Sequence, residues 1–200
     1  MSRQRIPLAM RVGFTLWMLF WAPNMLLVQG PQNFLWLCNA AMFLILYALW
    51  TDNRFILSSQ AGTVVLVGLV WSLDLLVSLL AGAPVTGLTA YMFNPELAMS
   101  VRLSSLYHVG LPPLVLWALL RTGYDVRAWR LQCALGALLV VGSWVWTEPY
   151  RNVNWVYQPF GLEHPPLPVV AWVVVLLLAY PLIIYFPGHL LVRRLLAWLR

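Results

Sequence analysis

Six apolar stretches, near residues 8–28, 33–50, 58–81, 104–121, 128–147 and 168–187, constrain this chain more than any motif it carries. Each approaches the ~20 residues that a helix rising 1.5 Å per residue needs to cross ~30 Å of hydrocarbon. The breaks between them fall at Gly30-Pro31, at Thr51 to Arg54, at Ala83-Pro84, between Arg121 and Arg130, and along the polar run Glu148 to Pro168. Pro112, Pro113 and Pro181 lie inside spans and predict kinks, which membrane helices tolerate. The pattern predicts an all-α polytopic bundle of about six transmembrane helices, forming one domain over residues 1–200. Gly/Ser linkers, charge blocks and internal repeats are absent from the sequence.

Only 9% of the 200 residues are charged and 62% are hydrophobic. A soluble domain carries roughly 25% charged residues, so lipid must solvate most of this surface. The net charge of +6 rests on arginine alone, because the chain has no lysine, which excludes Schiff-base chemistry. A basic balance in an apolar chain points to membrane lipids as partners, through their anionic headgroups, and away from nucleic acid.

Arginine placement also orients the spans. Arg3, Arg5, Arg11, Arg54, Arg121, Arg127, Arg130, Arg193, Arg194 and Arg200 fall at one end of the alternating pattern, and only Arg102 and Arg151 at the other. By the positive-inside bias both termini are cytoplasmic. The long loops 82–103 and 148–167, with Glu96, Glu148 and Glu163, then face outward. The pattern suits the cytoplasmic (inner) membrane of a bacterium. Arg11 interrupts the first apolar stretch and no small-residue cleavage site follows it, so that stretch reads as a retained helix. Residues 189–200 place Arg193, Arg194, Ala197 and Arg200 on one helical face and Leu191, Leu195, Trp198 and Leu199 on the other, predicting a short interfacial helix.

Soluble-enzyme motifs are missing: no P-loop, G-x-G-x-x-G, G-x-S-x-G or H-E-x-x-H occurs. The three histidines lack metal-ligand spacing, so neither a metal nor another cofactor is expected. His164, beside Glu163 in an outer loop, reads as solvated. Cys38 and Cys133 fall near opposite faces and are not expected to form a disulfide. Cys133 reads as packing.

Polar residues within the spans are the informative ones, since ionisable groups there normally face the bundle interior. Cys38 and Asn39 are predicted about one and a half turns below the outer end of the second helix. Asp74 falls about two turns below the outer end of the third, and His108 about one turn below that of the fourth, next to Tyr107. A thiol, a carboxylate and an imidazole at similar depth are the parts of a nucleophilic site. In this reading Cys38 attacks an acyl carbonyl and His108 takes its proton. Asp74 or a backbone carbonyl orients the ring, and Asn39 or Asn154 supplies amide donors to the oxyanion. Trp155 and Tyr157 are expected to dip to the membrane surface and roof the site. Each residue also has a plainer use: Cys38 as an apolar filler, Asp74 paired with Arg102, and His108 as hydrogen-bonding glue between helices.

The order of these features resembles the superfamily of six-span membrane proteins that includes bacterial YwaF-like proteins, androgen-induced fatty-acid-ester hydrolases and a plasmalogen acyltransferase. The matching stretches are Asn33-Phe34-Leu35-Trp36-Leu37-Cys38-Asn39, Ser105-Leu106-Tyr107-His108-Val109-Gly110 and Asn152-Val153-Asn154-Trp155-Val156-Tyr157. The resemblance implies a nucleophile at Cys38 with His108 as its partner. Bacterial relatives often read His-Leu-Cys-Asp where this chain has Trp36-Leu37-Cys38-Asn39. The chain is also similar to a group of bacterial membrane-associated proteins.

Three function classes follow. The first is a lipid acyl-ester hydrolase or acyltransferase working through a Cys-His pair near the outer face. The second is a non-catalytic multi-pass scaffold or lipid-binding accessory protein. The third is a small transporter using Asp74 and His108 as a proton relay, which the lack of an internal repeat disfavours.

Overall fold

The computed structural model describes residues 5–159 and 167–199. Arg3, Glu163, His164 and Arg200 lie outside the described residues. The described chain is helical with no strand, an all-α polytopic bundle. Its long elements are α1 (Leu8–Gln29), α2 (Leu37–Thr51), α3 (Arg54–Ala81), α4 (Met99–Ser104), α5 (Tyr107–Thr122), α6 (Ala128–Trp146), α7 (Val169–Tyr180) and α8 (Phe186–Trp198). Among the described residues five continuous stretches are long and apolar enough to cross a membrane: α1, α3, residues 99–122, α6 and residues 169–198.

The second predicted span departs from this pattern. Residues 31–35 form a 3-10 turn, Trp36 is extended (φ −55°, ψ 132°), and α2 begins only at Leu37. Its 15 residues reach about 22 Å, short of the ~30 Å hydrocarbon core. Gly30, at φ 76°, and Pro31 end α1 and start this irregular stretch. Cys38 and Asn39 therefore sit in the first turn of α2, not one and a half turns inside it.

Local signals explain the other boundaries. Asn53 caps α3, its Oδ1 accepting from the N–H groups of Phe55 and Ile56 at 3.1 Å each. Gly82, in the left-handed conformation at φ 71°, closes it. The sixth span does not stop before a separate C-terminal helix. Pro181 contributes no N–H, and a π-turn over Pro181–Tyr185 carries α7 into α8 as one run. Arg193 and Arg194 lie exposed on α8, as the periodicity predicts, while Val192 and Leu196 join the core.

Helix α3 is the hub, packing on α2, α5, α6 and α8. Two glycines allow this closeness. A Cβ at Gly68 would fall 2.8 Å from the His108 carbonyl oxygen, and one at Gly188 would overlap the Gly62 backbone. The first contact sets the height of His108 against α3.

One end of the bundle gathers arginine–aspartate pairs. Arg11 meets Asp52 at 2.7 Å, and Asp125 takes Arg127 at 3.0 Å with Arg54 at 3.9 Å. Hydrogen bonds from the Arg127 guanidinium and its backbone N–H, with the Arg54 charge beyond them, hold the Asp125 carboxyl down at about 2. At the other end residues 29–36 and 147–159 fold together, with Arg151 donating to Gln29 O and Asn154 to Leu35 O.

Candidate functional site

The site is built where α2 begins. A helix leaves its first N–H groups without intrahelical partners. Here Leu37 N–H is capped from far along the chain, donating to Asn154 Oδ1 at 2.9 Å. Cys38 follows directly in that first turn. The thiol thus lies at the positive end of the helix dipole.

Asn154 is spent on this arrangement. Besides accepting from Leu37, its Nδ2 donates to Leu35 O at 2.8 Å and to Ser143 Oγ at 2.9 Å. Both amide hydrogens are committed, so none remains for an oxyanion. Asn154 is 2% exposed and holds φ 54°, with Asn152 at 45° and Trp155 at 59°. Left-handed backbone is unusual for a bulky residue such as tryptophan. It is held by Tyr180 OH donating to Asn154 O and Trp172 Nε1 to Trp155 O, both at 2.7 Å, with Trp155 edge-on to Trp36. Val153 and Val156 are fully buried, so the loop tucks into the bundle. The Tyr157 hydroxyl sits at the end of α6, 2.7 Å from Trp144 O and 2.9 Å from Thr147 O, with its one hydrogen between the two carbonyls.

Around the thiol, Asn39 Nδ2 donates to Asn33 O at 2.8 Å, and its Oδ1 accepts from Tyr107 OH at 2.8 Å. Cys38 Sγ lies 3.9 Å from the same Oδ1 and within hydrogen-bonding reach of the Tyr107 hydroxyl. Tyr107 is the residue that joins the two helices, and its ring stacks on His108 with centroids 4.1 Å apart. Trp71 of α3 stacks on His108 at 4.7 Å and donates through Nε1 to Tyr91 OH at 3.2 Å. His108 Nδ1 lies 2.9 Å from Ser105 O. A carbonyl only accepts, so Nδ1 carries the hydrogen and Nε2 keeps its lone pair, the tautomer a general base requires.

The ring is oriented by a backbone carbonyl, then, and not by Asp74. That carboxylate accepts from Thr89 N–H at 3.1 Å and Thr89 Oγ at 2.5 Å, pinning the loop after α3. Arg102 does not take it either, its Nη1 reaching Met92 O at 3.4 Å. The second histidine of the described residues, His189, bonds Tyr124 OH at 2.7 Å toward the arginine end. No group of three metal-ligating side chains occurs among the described residues.

The structure joins Asn39 to Tyr107, with Cys38 and His108 their chain neighbours, gives Asn154 the task of fixing the helix start, and sends Asp74 elsewhere. Trp71 stacks on His108 and carries Tyr91 on its indole N–H. The signal for Trp71 was its i, i+3 spacing from Asp74, which puts both on one face of α3. No known protein family, curated protein or solved structure matches the chain.

Proposed function

We propose that this protein is a lipid acyl-ester hydrolase or acyltransferase of the bacterial cytoplasmic membrane, with Cys38 as nucleophile and His108 as base. The reading rests on the thiol in the first turn of α2, tied through Asn39 and Tyr107 to the stacked imidazole of His108, whose Nδ1 meets the Ser105 carbonyl. In the first step the Cys38 sulfur bonds to the acyl carbonyl carbon and its proton passes to His108 Nε2. The carbon–oxygen bond to the leaving alcohol breaks, and the imidazolium returns its proton to that oxygen. Water or a second alcohol then attacks the thioester, giving its proton to Nε2, and the thiolate leaves and is reprotonated. The Asn39 side-chain hydrogen not given to Asn33, with the backbone N–H groups of Cys38 and Asn39, stabilises charge on the carbonyl oxygen. The test is a long-chain acylating probe applied to wild type and Cys38→Ala: one acyl group should appear on wild type and none on the variant.

A second reading, a non-catalytic scaffold or lipid-binding accessory, draws on the commitment of Asp74 and Asn154 to structural hydrogen bonds. A folded wild type that takes no acyl group would favour it.

A further inference from the structure

A groove of about 410 Å³ opens at the end of the bundle opposite the arginine-rich face, lined by Val28, Gln29, Asn33, Trp36, Tyr150, Arg151 and Val153. Five of these seven side chains carry a hydrogen-bond donor, and none is acidic. Arg151 supplies the charge. Its Nε donates to Glu148 at 3.0 Å and its Nη1 to Gln29 O at 2.6 Å, which fixes the plane of the guanidinium. Its Nη2 donates to none of the described residues and points toward Gly30, where even an added Cβ would stand 3.8 Å away. Arg151 is also one of only two arginines that the sequence keeps at this end, against the charge bias of the other ten.

We infer that this groove holds the phosphodiester of a glycerophospholipid headgroup. A fixed guanidinium with a spare donor suits a phosphate oxygen. Trp36 and Tyr150 are residue types that settle at headgroup depth, and the groove is too polar for acyl chains. The Glu148 carboxylate neutralises part of the arginine charge and stands beside it for the ammonium of a zwitterionic headgroup. Asn33 joins the groove to the thiol: its side chain lines one, and its carbonyl takes the Asn39 amide of the other. The assignment of a phospholipid as substrate rests on the catalytic reading above, whereas headgroup binding does not.

The experiment is therefore a binding titration, followed by tryptophan fluorescence of the purified full chain in neutral detergent. The probes are dihexanoyl phosphatidylethanolamine, dihexanoylglycerol (which lacks the phosphate) and inorganic phosphate. Saturable binding of the phospholipid is expected, at least tenfold tighter than of dihexanoylglycerol, and weakened at least fivefold in Arg151→Gln. Arg151→Lys, which keeps the charge but not the fork, should fall between. Tyr150→Ala, at an exposed position, guards against misfolding and should weaken binding about twofold. Cys38→Ala should bind as wild type does while losing the acyl probe, so the two proposals fail separately. Equal binding by wild type and Arg151→Gln, or equal affinity for dihexanoylglycerol, overturns the inference. Tight binding of inorganic phosphate with no phospholipid binding overturns it in favour of a soluble anion.

Discussion

Replacing Gly188 by alanine tests whether α8 is packed into the bundle, as opposed to resting on the membrane surface. The new Cβ would fall onto the Gly62 carbonyl oxygen, 2.6 Å from its carbon and 3.1 Å from the Gly62 Cα. All of these atoms are backbone, so no rotamer change relieves the overlap, and α3 and α8 must part by roughly 1 Å to restore carbon contacts of about 3.5–4.0 Å. Overpacking of this kind costs about 1–3 kcal/mol, and the backbone clash belongs at the upper end. Alanine recovers up to about 1 kcal/mol of helix propensity over glycine, leaving a net loss of about 2 kcal/mol. The assay is reversible unfolding in mixed micelles with rising dodecyl sulfate, followed by tryptophan fluorescence. Gly13→Ala is the control, since nothing lies within 4 Å of its added Cβ. It should be neutral or slightly stabilising. A Gly188→Ala protein as stable as wild type would refute the close crossing.

Three further outcomes are expected. Asn154→Ala leaves Leu37 N–H and Leu35 O without their partner, while Ser143 Oγ keeps its bond to Leu139 O. At about 1–3 kcal/mol for each orphan, the same unfolding assay should show a loss of at least about 2 kcal/mol. Asp125, held down at about 2 from its ordinary 3.8, stabilises the fold above pH ~4 and loses that contribution as pH falls through its folded value. Unfolding between pH 5 and pH 2 should show this dependence in wild type and much less of it in Asp125→Asn. A reporter fused after Arg200 should behave as cytoplasmic and one inserted at Gly161 as external; finding the second inside the cell would invert the proposed orientation.

The apolar runs made the bundle legible, because hydrocarbon imposes helix on any span whatever its side chains. The break at Trp36 was not legible, because no local cap announces α2. Its first amide is satisfied by Asn154, 117 residues away, and such a tertiary cap leaves no trace at Trp36 itself. Cys38, Asn39 and His108 were singled out because polar groups at one depth tend to converge, and Asn39 does meet Tyr107, the chain neighbour of His108, through a hydrogen bond. Asp74 satisfies the same depth rule yet bonds Thr89, since a loop hydroxyl and amide answer a buried carboxylate as well as an imidazole does. The C-terminal amphipathic pattern was readable as two faces. That its apolar face packs on α3 depended on two glycines, Gly62 and Gly188, which meet only in three dimensions.

The most direct test of the catalytic reading is the rate at which each cysteine is alkylated by iodoacetamide, resolved by peptide mass spectrometry. Cys38, at the start of α2 and joined through Asn39 and Tyr107 to His108, is expected to react faster than Cys133, which lies half-buried in α6. In His108→Ala the Cys38 rate should fall several-fold while the Cys133 rate stays unchanged. Equal, slow labelling of both cysteines in wild type, or a Cys38 rate indifferent to His108, would contradict the account and leave the non-catalytic reading in its place.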